Sequence, residues 1–238
     1  MSDQQKAAIV TAAGRGLGLA AARELHARGY QLALLSPSGA AEVAARELGA
    51  IGRTGSVTRE ADLAALVADA HAAFGRIDAV VSSTGNAPAA PHGELLEISD
   101  QDWHAGADMM FLNVVRMARL VTPIMAAQGG GAFVNISTFA AFEPDPSYPV
   151  SSCMRAALAG YTKLFADRYA AQGIRMNNVL PGMIDNYPTD AASLARIPAG
   201  RYGKVDEVAK TIAFLLSDDA GYITGQNIRV DGALTRHI

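Results

Sequence analysis

Short apolar runs alternate with longer alanine-rich stretches along the whole chain, and this alternation limits the fold more than any other feature. "AAIVTA" precedes a helical pattern over residues 17–28, and "QLALL" precedes one over 39–48. A run at 53–57 leads into a helix over 60–74, and "DAVVSS" leads into two helices over 99–109 and 111–127. "GAFVNIS" and "IRMNNVLPG" flank a helix over 149–172, and a helix over 205–216 precedes "QNIRVDG". Runs that are apolar throughout, rather than at alternate positions, belong to strands buried on both faces. Strands separated by helices predict an α/β domain, with a parallel sheet covered by helices on both sides. No linker, repeat or low-complexity segment interrupts the pattern, so residues 1–238 read as one domain. Residues 183–203 are the least regular stretch and are expected to form a lid.

Composition removes several classes of function. A net charge of −3 without a basic run argues against nucleic acid or an anionic membrane as the partner. No uninterrupted apolar run reaches about 18 residues, so no spanning helix is expected. Cys153 is the single cysteine, which excludes an internal disulfide and fits a reducing, cytoplasmic setting. The opening "MSDQQKAAIV" does not read as a signal peptide. No spacing of His, Cys, Asp or Glu suggests a metal site.

"TAAGRGLG", residues 11–18, follows the first strand and enters the first helix. Gly14, Gly16 and Gly18 allow a tight turn and close backbone approach. The helix N-terminus, with Leu17 in its first turn, then offers free N–H groups and a positive dipole end to a phosphate. The second strand ends "LLSPS", with Ser36 and Ser38 where an NAD-binding site would carry an acid. Arg15, inside the turn, can pair with a 2′-phosphate. A dinucleotide bound here is expected to be NADP rather than NAD, although a solvated loop arginine would read the same.

Taken together these residues resemble the short-chain dehydrogenase/reductase family in its single-domain form. "TAAGRGLG" is similar to that family's TGxxxGxG turn, with Ala12 in place of the first glycine. "VVSSTGN" stands where the family has its NNAG loop, and only Gly85 is retained. "FVNIST", "AALAGYTK", "GIRMNNVLPG" and "YGKVDEVAKTIAFLLSDDAGYITGQNIRVDGA" follow the later half. The resemblance implies a doubly wound, Rossmann-type sheet of about seven strands. It also implies hydride transfer between NADP or NAD and a small-molecule carbonyl or alcohol, and a homodimer or homotetramer. Cofactor contacts would come from Gly14, Arg15, Gly16, Leu17, Gly18, Ser36, Ser56, Val57, Gly85, Arg155, Pro181, Gly182 and Ile184.

The family's catalytic Asn, Ser, Tyr and Lys fall on Met110, Thr138, Ser151 and Arg155. Ser56 stands for its Asp after the third strand, and Asn186 for a nicotinamide-contacting Thr. Thr138 keeps a hydroxyl and Arg155 keeps a positive charge. Ser151 cannot titrate usefully, and loss of general acid catalysis costs roughly 10² to 10⁴ in rate. Tyr148, held just before the helix by Pro149, is the candidate replacement. His92, His104, Glu143, Asp145 and Asp185 are nearby ionisable groups, each also readable as a solvated loop or surface residue. Cys153 is expected to be a buried small side chain. Three readings stay open: an oxidoreductase with an unusual site, a catalytically silent binding protein or partner subunit, and a non-redox lyase or hydrolase.

Overall fold

The computed structural model describes residues 5–85 and 95–236. Seven strands form one sheet: β1 (Ala7–Val10), β2 (Gln31–Ser36), β3 (Ile51–Thr54), β4 (Ala79–Ser82), β5 (Gly131–Ile136), β6 (Ile174–Pro181) and β7 (Asn227–Val230). Their order is β3-β2-β1-β4-β5-β6-β7, and every pairing is parallel. The helices are α1 (Gly16–Ala27), α2 (Ala40–Leu48), α3 (Glu60–Phe74), α4 (Asp100–Ala107), α5 (Asn113–Gln128), α6 (Pro149–Tyr169), α7 (Ala191–Ala195) and α8 (Val205–Leu216).

Strand side chains alternate between two apolar layers, which explains why the strands read as continuous hydrophobic runs. Val10, Leu34, Val81, Val134 and Val179 pack with α1, α2 and α8 on one face. Ile9, Leu35, Val80, Phe133 and Met176 pack with α3, α5 and α6 on the other. Phe133 and Phe165 meet edge to face with ring centres 5.4 Å apart. Burial of each such ring contributes about 1.5–3 kcal/mol.

Three local readings are revised. The helices expected at 99–109 and 111–127 are one helical run, Asp100–Gln128, with a turn of π-helix at Asp108–Leu112 in place of the break. That run is long and apolar enough to cross a bilayer. Its Val114, Met117, Val121 and Met125, however, are buried against the sheet. The third strand lies at Ile51–Thr54 rather than 53–57, because the Ser56 N–H is drawn to the Asp62 carboxylate at 2.7 Å and the chain turns there. Inside 183–203, Asp190 accepts from the Ser193 N–H at 2.8 Å and starts the short α7.

Candidate active site

Strand order reverses between β1 and β4, and the carboxyl ends of strands at such a point open a crevice for ligands. Thr11 ties the two strands together there. Its Oγ1 donates to the Ser83 carbonyl at 2.7 Å and accepts from the Ser83 N–H at 2.9 Å.

The glycine turn leaves β1 on the same edge. Gly16 has φ +55, a conformation that costs an L side chain energy. A Cβ on Gly18 would lie 2.5 Å from the Ala12 carbonyl oxygen, so only glycine lets α1 approach β1 this closely. Ala12 itself has φ +48, where a glycine would be unstrained. Arg15 is the N-cap of α1 but makes no side-chain cap, and no acid lies in the first helical turn. The uncapped N–H groups and the helix dipole therefore face the crevice without a carboxylate of the protein competing. This donor set fits the phosphates of a dinucleotide.

The neighbouring loops complete the edge. Gly14 lies against the corner formed by Ser36 and Ala40. The Ser36 hydroxyl is occupied locally: it donates to the Ser38 carbonyl at 2.5 Å and accepts from the Ala41 N–H at 3.0 Å. Glu42, in the first turn of α2, accepts from both the N–H and hydroxyl of Thr54. Ser56 shares a hydroxyl contact with Thr58 at 2.8 Å, and Val57 packs into the core under it. Arg15 is exposed and makes no ion pair among the described residues. Pro181 ends β6, Gly182 continues its ladder by donating to the Val230 carbonyl, and Ile184 is buried beneath.

Arg155 lies at the centre of the other half. It is 6% exposed, and burial pulls its pKa down to about 10. Its Nη1 donates to the Met110 carbonyl at 3.2 Å, within the π-turn, and its Nη2 donates to the Thr84 hydroxyl at 2.9 Å. The guanidinium thus pins α6 to the long helix and to the loop after β4. Ser151 is half-buried one turn earlier on α6, and Thr138 caps a single 3₁₀ turn at Phe139–Ala141 beside it in the chain. Tyr148 is 50% exposed at the N-cap of α6. It shares the helix face of Arg155, but seven residues separate them by about 10 Å along the axis.

Other ionisable candidates are engaged elsewhere. Asp145 accepts from the Ser147 N–H at 2.9 Å and lies 3.6 Å from Arg196. Glu143 accepts from the Arg236 N–H, and Asp185 from the Val205 N–H. His104 is exposed on α4, and His92 lies outside the described residues. Cys153 is exposed, not buried as expected, because it faces away from the side of α6 that carries Arg155. No group of three His, Cys, Asp or Glu that could hold a metal occurs among the described residues.

Thr84 and Ser137 do not stand out in the linear pattern. They lie within "VVSSTGN" and "FVNIST", but their significance depends on contacts that pattern does not contain. The Ser137 and Ser82 hydroxyls are buried without a hydrogen-bond partner among the described residues.

Residues 11–235 match the family described as Enoyl-(Acyl carrier protein) reductase. Among curated proteins, the chain is 31% identical to 3-oxoacyl-(acyl-carrier-protein) reductase FabG of Staphylococcus aureus, covering 96% of this chain and 98% of that one. It is 32% identical to the FabG of Salmonella typhimurium and 31% to that of Escherichia coli K12, each over 98% of this chain and 99% of the relative.

Proposed function

The chain belongs to the short-chain dehydrogenase/reductase family, and on that premise we propose that it is an NADP(H)-preferring oxidoreductase acting on a small carbonyl or alcohol through an unusual site. The observation that carries this reading is the intact phosphate cradle: the Gly16 conformation, the Gly18 close approach and the uncapped, acid-free start of α1. Arg15 beside a β2 end that offers no acid favours the 2′-phosphate form. The nicotinamide end would lie over Gly85, Thr138, Arg155, Pro181 and Gly182, and a nicotinamide held there exchanges hydride with the substrate carbon.

Arg155 supplies positive charge where oxygen gains charge, and Thr138 and Ser151 supply hydroxyls. None of the three titrates near neutral pH. Proton transfer therefore falls to Tyr148 or to solvent, and without a positioned acid the barrier rises by about 3–5 kcal/mol. The enzyme is slow by this account. Residues 183–203 act as the lid over the crevice. The lid is joined at its base by a parallel bridge between Ile184 and Gly203, and Asn186 lies against Gly16. The protein works as a homodimer or homotetramer in the cytoplasm. The relatives' printed reaction makes 3-oxoacyl compounds the first carbonyls to assay.

Titration of NADPH and NADH into the purified protein tests the reading. The expected result is micromolar NADPH binding, tighter than NADH, with the preference reduced at least fivefold in Arg15→Ala. Absence of binding at millimolar concentration of either would leave the silent or non-redox reading. With turnover in hand, Tyr148→Phe identifies the proton source: a loss of 10²-fold or more assigns it to Tyr148, and an unchanged rate assigns it to solvent.

A further inference from the structure

Arg155 carries a buried positive charge that no carboxylate among the described residues neutralises. Its two partners, the Met110 carbonyl and the Thr84 hydroxyl, are neutral. A guanidinium has five N–H donors; with these two used, three have no partner among the described residues. Among the described residues, Asp108 is turned to Arg116 at 2.5 Å, Asp145 towards Arg196 and Asp185 to the start of α8. Holding an uncompensated cation out of water is costly, and an incoming anion recovers that cost.

A second, independent feature lies at the same corner. The last pair of the β4–β5 register is Ser82 with Asn135, and Thr84 and Ser137 each lie two residues beyond it, at the carboxyl end of these strands. Alternation puts Ser137 on the face of Phe133 and Asn135. Both of those residues meet the α6 side, Phe133 through Phe165 and Asn135 through the Asn178 amide that it shares with Thr162. The buried Ser137 hydroxyl makes no hydrogen bond among the described residues. A nearly buried guanidinium with free N–H groups and an unpartnered hydroxyl thus share one end of the β4–β5 pair, beneath α6.

We propose that this corner binds the carboxylate of a small oxo or hydroxy acid, with Arg155 donating through its free N–H groups and Ser137 through its hydroxyl. A planar two-oxygen acceptor matches the guanidinium fork better than a neutral carbonyl does. The oxo or hydroxy part rests on the hydride-transfer reading above, whereas the carboxylate part does not.

Calorimetric titration of malonate and its uncharged analogue malonamide into the full chain, without cofactor, tests the site. Malonate is expected to bind and raise the melting temperature, and malonamide is not. Arg155→Met is expected to weaken malonate at least tenfold, Ser137→Ala severalfold, and Arg155→Lys less than Arg155→Met. Equal binding of malonamide, no binding of malonate, or undiminished malonate affinity in Arg155→Met would overturn the proposal. If Arg155→Met does not fold, Ser137→Ala and Arg155→Lys decide, and unchanged affinity in both overturns it. NADPH binding is measured separately, so failure of the carboxylate site and failure of the hydride-transfer reading give different results.

Discussion

At the scale of single residues, the strain and the charge lie where the ligands are expected. Ala12 adopts φ +48 where the family pattern carries glycine, which costs an L residue about 1–2 kcal/mol. Ala12→Gly releases that strain but adds freedom to the unfolded chain, worth about 0.4–1 kcal/mol. The expected net is a small stabilisation, between about 0 and about 1.6 kcal/mol, read by denaturant melts. Gly18→Ala runs the other way: its methyl would press on the Ala12 carbonyl, costing about 1–3 kcal/mol and abolishing NADPH binding. Burial pulls the Arg155 pKa down to about 10, well below the ordinary guanidinium range. Above that value the unfolded chain holds the proton more tightly. The unfavourable effect of burying the charge is therefore complete below about pH 10 and relaxes as pH climbs above it. The groups it touches, Thr84 and the Met110 carbonyl, do not titrate. Malonate affinity should accordingly be flat from pH 6.5 to 9 and fall above about 10.

At the scale of elements, the segment proposed as a lid, residues 183–203, is fastened where it meets α8. Glu207 accepts from both Nη groups of Arg201, at 2.8 and 2.7 Å, and from the Lys204 N–H at 2.8 Å. These contacts hold its carboxyl at about 2, below the usual 4.5. A depressed carboxylate stabilises the fold above its unfolded pKa and loses that contribution as pH falls through the folded one. The junction should therefore hold above about pH 4.5 and loosen towards pH 2. Glu207→Gln should loosen it at neutral pH, read as faster amide exchange over 183–203 with little change in β5 or β6. The π-turn at Asp108–Leu112 was not legible from composition, because an extra residue in a helical turn leaves the apolar pattern on both sides intact. Its position matters, since it is there that the Met110 carbonyl accepts from Arg155.

At the scale of the whole molecule, apolar surface remains after folding. Leu164 on α6 is 70% exposed, Phe214 on α8 is 41% exposed, and Tyr222 is fully exposed. Single exposed apolar residues are ordinary, but these lie on α6, α8 and the segment after it, which are candidate surfaces for the proposed homo-oligomer. Leu164→Asp should shift the sedimentation profile to smaller species while leaving far-ultraviolet dichroism unchanged. The sequence by itself determined the layered α/β class, the position of the glycine turn and the ends of helices such as Glu60–Phe74 and Val205–Leu216. Those features arise from periodicity and backbone freedom, which are local. Tertiary structure alone decided which polar groups are occupied. Ser36 is taken by the start of α2, Asp145 is turned to Ser147 and Arg196, and Arg155 is buried with no ion pair among the described residues. The physical reason is distance along the chain: Arg155 meets a hydroxyl 71 residues away and a carbonyl 45 residues away. Contacts of that span depend on strand order, register and the π-turn acting together, and no window of sequence contains all three.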